Sequence, residues 1–379
     1  MTITCDFPGG NIAVEQIDGD TVRLRPDLRD TEGAWFYWHF RVSGASDRTV
    51  HFEFTQDPVI GARGPAVSTD GGLTWSWLGT GPGHRFSYTF PNNTEAVSFC
   101  MTIPYTMAEW TRFLSGHANN PHLRSGILCT SRKGRPVETL TCGCLDAVPQ
   151  HRVLITARHH CCETLQSFAL EGLIDYMLGD EPGAAWMRAH VELLAIPFMD
   201  KDGVEEGDQG KNRRPRDHNR DYDDHGIYPE TLALRSKISR WSNGLLSVGI
   251  DLHCPWISGV INECIYFVGQ PSEEKWTEQQ TLSGILEKTK QGPLPFHASN
   301  NLPYGTSWNV ASSYQKGRCF SHWLCTVPGI RVSTTVELPY ANAEGIEVNA
   351  NTARAFGTDL GRAIYGYLGQ SSAPRETGR

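Results

Sequence analysis

Residues 157 to 164 read ARHHCCET, which places two histidines, two cysteines and a glutamate within five positions. Imidazole, thiolate and carboxylate are the side chains that hold transition metals. His159, His160 and Glu163 all stand here, and a further histidine, His253, lies far along the chain in DLHC. A histidine and a glutamate three residues apart, joined by such a distant histidine, give three nitrogen and oxygen ligands and leave a fourth position for water. That composition is the catalytic zinc type, because structural zinc sites are closed by four ligands and are usually rich in cysteine. An HxxE pair also arises by chance in long chains, so other signals have to agree with it.

A second signal lies in DGVEEGDQGKNRRPRDHNRDYDD, residues 202 to 224. By charge alone it reads as a solvated loop. It nevertheless gathers Arg213, Arg214, Arg216 and Arg220 in a chain whose net charge is −8. Guanidinium forks bind carboxylates with two parallel hydrogen bonds, so an anionic group on a substrate is their natural partner. A metal-activated water beside a carboxylate-binding cluster points to hydrolysis next to a free carboxylate.

These residues must be positioned by regular elements. RVLITA before His159 and LLSVGIDLHC around His253 are apolar strand runs, and PETLALRSKISRWSNG reads as a helix closed by Gly244. After residue 153 a helix is expected to carry Leu165, Phe168, Ala169, Leu173, Tyr176 and Met177 on one stripe. Such alternation predicts an α/β fold, an open sheet with helices on both faces, whose ligands bind beyond the carboxyl ends of the strands. Both metal-ligand groups fall at such ends. The first hundred residues differ. Phe36, Trp38, Phe40 and Val42 alternate onto one face, as do Val50, Phe52 and Phe54, then Phe86, Tyr88 and Phe90. Short alternating strands separated by turn residues predict an all-β antiparallel sandwich. The expected domains are therefore a sandwich over residues 1–114, an α/β domain over 115–370 and a disordered tail over 371–379.

Composition limits the function. With 34 basic against 42 acidic residues, the chain has no cationic excess for nucleic acid or an anionic membrane. No run of apolar residues is long enough to span a bilayer, and the N-terminus lacks a secretory pattern, so a soluble cytoplasmic protein is expected. Eleven scattered cysteines, an odd number, favour reduced thiols over a disulfide framework. Assembly into a homo-oligomer is left open.

The ordered elements HxxE, DHNRDY, DLHC and STTVELPY resemble the zinc metallocarboxypeptidases of the funnelin fold, most nearly their cytosolic carboxypeptidase-like branch. RPDLRDTEGAWFYWHFRV and FPNNTEAVSFCMTIPYTMAEW resemble the N-terminal sandwich of that branch, so the likeness extends to about residue 370. It implies one zinc ion held by His160, Glu163 and His253, and a peptide or protein C-terminus as substrate. It implies Asn219 and Arg220 as carboxylate binders and Glu337 as general base and acid. An upstream arginine polarises the scissile carbonyl in this family, and Arg213, with Arg214 close behind, is the expected residue. Tyr314 or Tyr304 would close over the substrate carboxylate, and Arg318 could give the pocket a cationic base for acidic side chains. His159 is expected behind the ligands, with Asp251 orienting His253. The chain departs from the family in having Cys161-Cys162 where Pro-Gly is usual, and His218 where leucine is usual. Cys254, directly after the third expected ligand, adds another thiol. Two alternatives remain: a zinc amidohydrolase of small N-acyl amino acids, aspartoacylase-like and usually without the sandwich, and a non-catalytic binding relative.

Overall fold

A computed structural model describes residues 1–56 and 58–371; most of the tail expected over 371–379 therefore lies outside the described residues. The alternating segments near the N-terminus form two sheets. One joins β1 (Thr2–Thr4), β4 (His39–Ser43), β9 (Ala96–Cys100), β6 (Ala66–Ser68) and β7 (Ser76–Trp77) in that order. The other orders β2 (Ala13–Asp18), β3 (Thr21–Arg25), β5 (Thr49–Phe54) and β8 (Arg85–Thr89). Trp38, Phe40, Phe52, Phe86 and Phe99 are buried and meet stacked or tilted at centroid distances of 4.7–6.2 Å, which fills the space between the sheets. The pairing is antiparallel except between β3 and β5, which run parallel. Alternation fixes which face is buried but not which neighbour a strand takes.

Helix α1 (Met107–Ser115) starts at a capping box in which Thr106 and Glu109 exchange hydrogen bonds with each other's backbone. The boundary expected at 114–115 falls at its last turn. Beyond it β10 (Leu123–Thr130) and β11 (Pro136–Gly143) form a hairpin, followed by β12 (His151–Ala157), α2 (Leu165–Leu178), α3 (Pro182–His190) and β13 (Val191–Ile196). Then come α4 (Lys201–Glu206), α5 (Pro229–Trp241), β14 (Leu246–His253), β15 (Tyr266–Val268) and α6 (Glu273–Thr289). The chain ends with α7 (Phe320–Leu324), β16 (Val332–Glu337) and α8 (Ala350–Ser371).

The resulting seven-stranded sheet runs β10-β11-β13-β12-β14-β16-β15. Its four middle strands are parallel and its flanking strands antiparallel. The parallel strands have two buried faces: in β12, Val153 and Ile155 join the core under α2 and α8, while Leu154 joins the core under α5 and α7. Helix α2 does not bury a single stripe as its sequence suggests. It is buried nearly all round because α8 lies across it, with Gly172 and Gly357 at the crossing. A Cβ on Gly172 would meet the Arg354 carbonyl oxygen at 1.9 Å. Among the described residues no helix is long and apolar enough to cross a membrane.

Chain order reverses around β12, because β13 lies on one side of it and β14 on the other. The connections leaving β12 and β14 thus depart to opposite sides and open a crevice at the carboxyl ends, the usual place for a ligand in such sheets.

Candidate metal centre and active site

Past the end of β12 the chain turns through Arg158, at a left-handed φ of 63°. The buried Arg158 guanidinium donates to the carbonyls of Cys161 (2.9 Å) and Tyr105 (2.8 Å) and to Ser167 Oγ (3.2 Å). It thereby ties residues 158–163 to the first turn of α2. Within that loop His160 Nδ1 lies 3.0 Å from Glu163 Oε1, and His253 Nδ1, from the end of β14, lies 2.7 Å from Glu163 Oε2. The three donor groups fall within 4.8 Å of one another. Gln166 of α2 donates to the carbonyls of His253 and Val336 (3.1 Å for the latter), which pins the ends of β14 and β16 side by side.

Each candidate ligand histidine has a carboxylate behind it. His160 Nε2 is 3.2 Å from Asp217, and His253 Nε2 is 2.6 Å from Asp251. Such pairs fix which ring nitrogen faces the metal and raise its basicity. Asp251 also accepts from Thr156 Oγ1 and pairs with His159 Nδ1, both at 2.7 Å, while His159 Nε2 meets the Tyr222 hydroxyl at 2.6 Å. Both nitrogens of His159 are thus engaged, so it supports Asp251 from behind, although His159, Asp251 and His253 also lie close enough to form a metal-sized group. Burial opposes the charged form of Glu163, but Lys211, His253 and His160 overcome it and hold the carboxyl well below its usual range. Burial likewise opposes imidazolium at His253 and His160; Asp251 and Glu163, and Asp217 and Glu163, reverse this and raise both. Two Nδ1 atoms and one carboxylate, each imidazole backed by an acid, fit a divalent cation.

The cysteines serve other ends. Cys161 Sγ donates to the Asp208 carbonyl at 3.0 Å, and Cys162 Sγ lies 3.6 Å from the Tyr340 hydroxyl. Burial pushes Cys162 up to about 12 and raises Cys161 and Cys254 well above the ordinary thiol range. The Cys161 thiol fits where Pro-Gly is usual because Gly203 and Gly210 leave room: a Cβ on either would come within 3 Å of its sulfur. His218 stacks on Tyr228 with ring centroids 3.7 Å apart.

A cavity of about 890 Å³ opens over the cluster. Glu337 lines it from the last position of β16, in register with His253 across the β14–β16 ladder. Its Oε2 has no hydrogen-bond partner among the described residues. Burial pushes the Glu337 carboxyl up to about 7, with His253 opposing and Glu163 reinforcing the rise. Asn219 and Arg220 line the cavity from the 3-10 turn His218–Arg220. Asn219 Nδ2 is 3.1 Å from His253 Nε2, and its Oδ1 accepts from Phe320 N. Arg220 Nε donates to the Ser313 carbonyl at 3.2 Å, and its guanidinium lies 5.1 Å from the Tyr314 ring centroid. Tyr314 lines the cavity, whereas Tyr304 does not.

Of the other expected residues, Arg213 and Arg214 line the cavity but have their charges engaged elsewhere, and Arg318 does not line it. The Arg213 guanidinium is committed to Asp200, to Asp208 at 2.9 Å and to Asp30 at 3.6 Å, not to the metal-ligand cluster. Arg214 is largely exposed and donates to the Thr31 carbonyl. Arg318 is absent from the cavity lining, and its carbonyl accepts from Tyr222 N. Thr335, Val268, Ser321 and Cys319 line the cavity too, together with the cations Lys211, Arg216 and Lys316. The sequence reading passed over Asp217, two positions before Asn219 in DHNR, and Lys211, whose Nζ lies 2.5 Å from Glu163 Oε1. A carboxylate beside an Asn-Arg pair was a usable signal for the first.

No family model matches the chain. It is 30% identical over 151 residues to cytosolic carboxypeptidase 3 of Bos taurus, covering 37% of this chain and 15% of that protein. Against cytosolic carboxypeptidase 6 of Mus musculus it is 23% identical over 395 residues, 94% of this chain and 72% of the relative. The first curated relatives are thus much longer, and the chain spans 15 to 26% of their length. A metallo-carboxypeptidase from Burkholderia cenocepacia superposes with a TM-score of 0.79 at 22% identity, over 98% of this chain and 99% of that structure.

Proposed function

Starting from a chain that has the metallocarboxypeptidase fold and is related in sequence to the cytosolic carboxypeptidases, we propose that it is a cytoplasmic zinc carboxypeptidase removing residues from peptide or protein C-termini. One observation carries the reading. An unpartnered, buried Glu337 carboxyl shares a cavity with a two-histidine, one-glutamate ligand set and with Arg220. Zinc suits that set, and when bound it would supply Lewis-acid polarisation and lower the pKa of a water molecule toward neutrality.

His160, Glu163 and His253 would hold the ion, with Asp217 and Asp251 fixing the imidazoles. Arg220 would take the substrate's terminal carboxylate, with Asn219 beside it and Tyr314 closing against the guanidinium. Glu337 would accept a proton from the attacking water as the oxygen adds to the peptide carbonyl carbon. As the C–N bond breaks, Glu337 would return that proton to the leaving nitrogen. A carboxyl with a pKa near neutrality can both accept and donate at working pH. Arg318 does not line the cavity, so it gives no support to a preference for acidic C-terminal residues. All eleven cysteines are free thiols, which accords with a reducing compartment.

The test is to determine bound metal and then to incubate the protein with C-terminally varied peptides and with N-acyl amino acids, following release by mass spectrometry. Stepwise shortening of peptides is expected. Cleavage of acyl amino acids alone would select an amidohydrolase, and a zinc-loaded protein inert on the whole panel would select a binding protein.

A further inference from the structure

The metal-ligand cluster has one cation at its side that no assigned role uses. Lys211 is buried, its Nζ lies 2.5 Å from Glu163 Oε1 and donates to the Cys254 carbonyl at 3.0 Å, and it lines the same cavity as Glu337. The neighbouring cations are committed elsewhere. Arg213 is held by three carboxylates, Arg216 by Asp221 and Asp223, and Arg220 by the Tyr314 ring and two carbonyls. Arg214 and Lys316 are exposed toward Glu32.

The position of Lys211 is built from both ends of the sequence. Asp30 accepts from the backbone N–H of Gln209 at 3.0 Å and of Gly210 at 2.9 Å, and Thr31 donates through its hydroxyl to the Lys211 carbonyl. The Trp35 ring lies 5.8 Å from the ammonium. Gly210, at φ +75°, packs against the ligand loop so tightly that a Cβ there would meet Cys161 N at 2.5 Å. The segment from Asp30 to Trp35 thus holds the loop that carries Lys211 against His160.

We propose that Lys211 is the catalytic electrophile of this site, the cation that stabilises the scissile carbonyl oxygen, in the role the family resemblance gives to an arginine. The inference rests on the peptidase reading above. As the water oxygen adds to the carbonyl carbon, the π pair moves onto the carbonyl oxygen and Glu337 takes the water's proton. The Lys211 ammonium donates a hydrogen bond to that oxygen and stays protonated. The pair then returns to re-form C=O, the C–N bond breaks, and Glu337 delivers the proton to the amine. Donors aimed at a developing oxyanion act mainly on the transition state, so the loss should fall on kcat.

The experiment compares the zinc-loaded parent with Lys211→Met and Lys211→Arg on one susceptible peptide. Zinc affinity is measured by chelator competition, and binding of a phosphonate analogue of the peptide is set against binding of the free C-terminal amino acid. Lys211→Met should lower kcat about 100-fold or more, leave KM within a few-fold, bind zinc as tightly as the parent or tighter, and lose phosphonate affinity but not product affinity. Lys211→Arg should recover much of the rate. An undiminished kcat, lost zinc, or equal weakening of both inhibitors overturns the assignment; lost zinc would make the lysine a support for the ligands. A parent inert on every peptide removes the peptidase reading and this role with it. An active parent with an equally active Lys211→Met removes only the role of the lysine.

Discussion

Arg213 and Lys211 stand two residues apart on one loop and meet opposite surroundings. The guanidinium is enclosed by Asp30, Asp200 and Asp208, so its charge is consumed in holding residues 208–214 against the N-terminal sheets and the turn after β13. The ammonium has one carboxylate partner, Glu163, and faces a cavity that also receives Glu337. A saturated charge stabilises a fold. A charge with unfilled bonding capacity, beside a carboxyl whose Oε2 has no hydrogen-bond partner among the described residues, is available to a substrate.

The sharpest way to separate the two sides is Glu337→Gln. It should lower kcat by about 10³-fold or more while zinc stoichiometry, measured by atomic emission, matches the parent. Retained turnover would take Glu337 out of the reaction. On the other side of the loop, Arg213→Met should cost roughly 3–5 kcal/mol in urea denaturation, because the buried Asp200 and Asp30 lose this counter-charge and Asp208 keeps only Arg29. A stability change below about 1 kcal/mol would contradict the structural role given to Arg213. Between these lies Asp217→Asn, which should weaken zinc affinity roughly 10- to 100-fold by chelator competition, with little change in the urea midpoint of the metal-free protein. Unchanged affinity would mean that Asp217 does not orient His160.

The smallest effect concerns Glu230, buried near His218, where burial, with Asp200 adding to it, pushes the carboxyl up to about 7. Its folded-state pKa therefore lies above its unfolded value. The folded state binds the extra proton between about pH 4.5 and 7, and this group's contribution to stability falls as pH rises through that window. Glu230→Gln should match the parent in unfolding free energy near pH 4 and exceed it above pH 7, by on the order of 1–2 kcal/mol. An equal difference at both pH values would show that the cause is packing rather than ionisation.

The strands of the parallel core and the last helix are legible because their apolar runs have the length and period of buried elements. The β10–β11 hairpin escaped the sequence reading: Leu123–Thr130 is mostly exposed and has no clean alternation. Helix α6 mixes charged and apolar residues without a strong stripe and escaped as well. At the site, HxxE and the residues at the ends of β14 and β16 are local in sequence or fixed by strand ends, so their types and order announce them. Lys211 is otherwise. Five cations crowd residues 211 to 220, and which of them turns inward is decided by Asp30 and Trp35, far away in sequence. Arg318 was expected at the pocket base for its charge, but nothing in YQKGRCF encodes the direction of its side chain.

His253 and Glu337 are register partners on adjacent parallel strands. The spacing between the proposed third metal ligand and the proposed proton-transferring carboxyl is therefore set by the backbone ladder itself, as two teeth of one comb. The loops between residues 254 and 336, which bring Trp308 and Tyr314 to the cavity wall, can change length or chemistry without moving those two groups apart. Substrate choice can thus drift in descendants of this chain, or be redrawn by loop engineering, while the reacting centre keeps its dimensions.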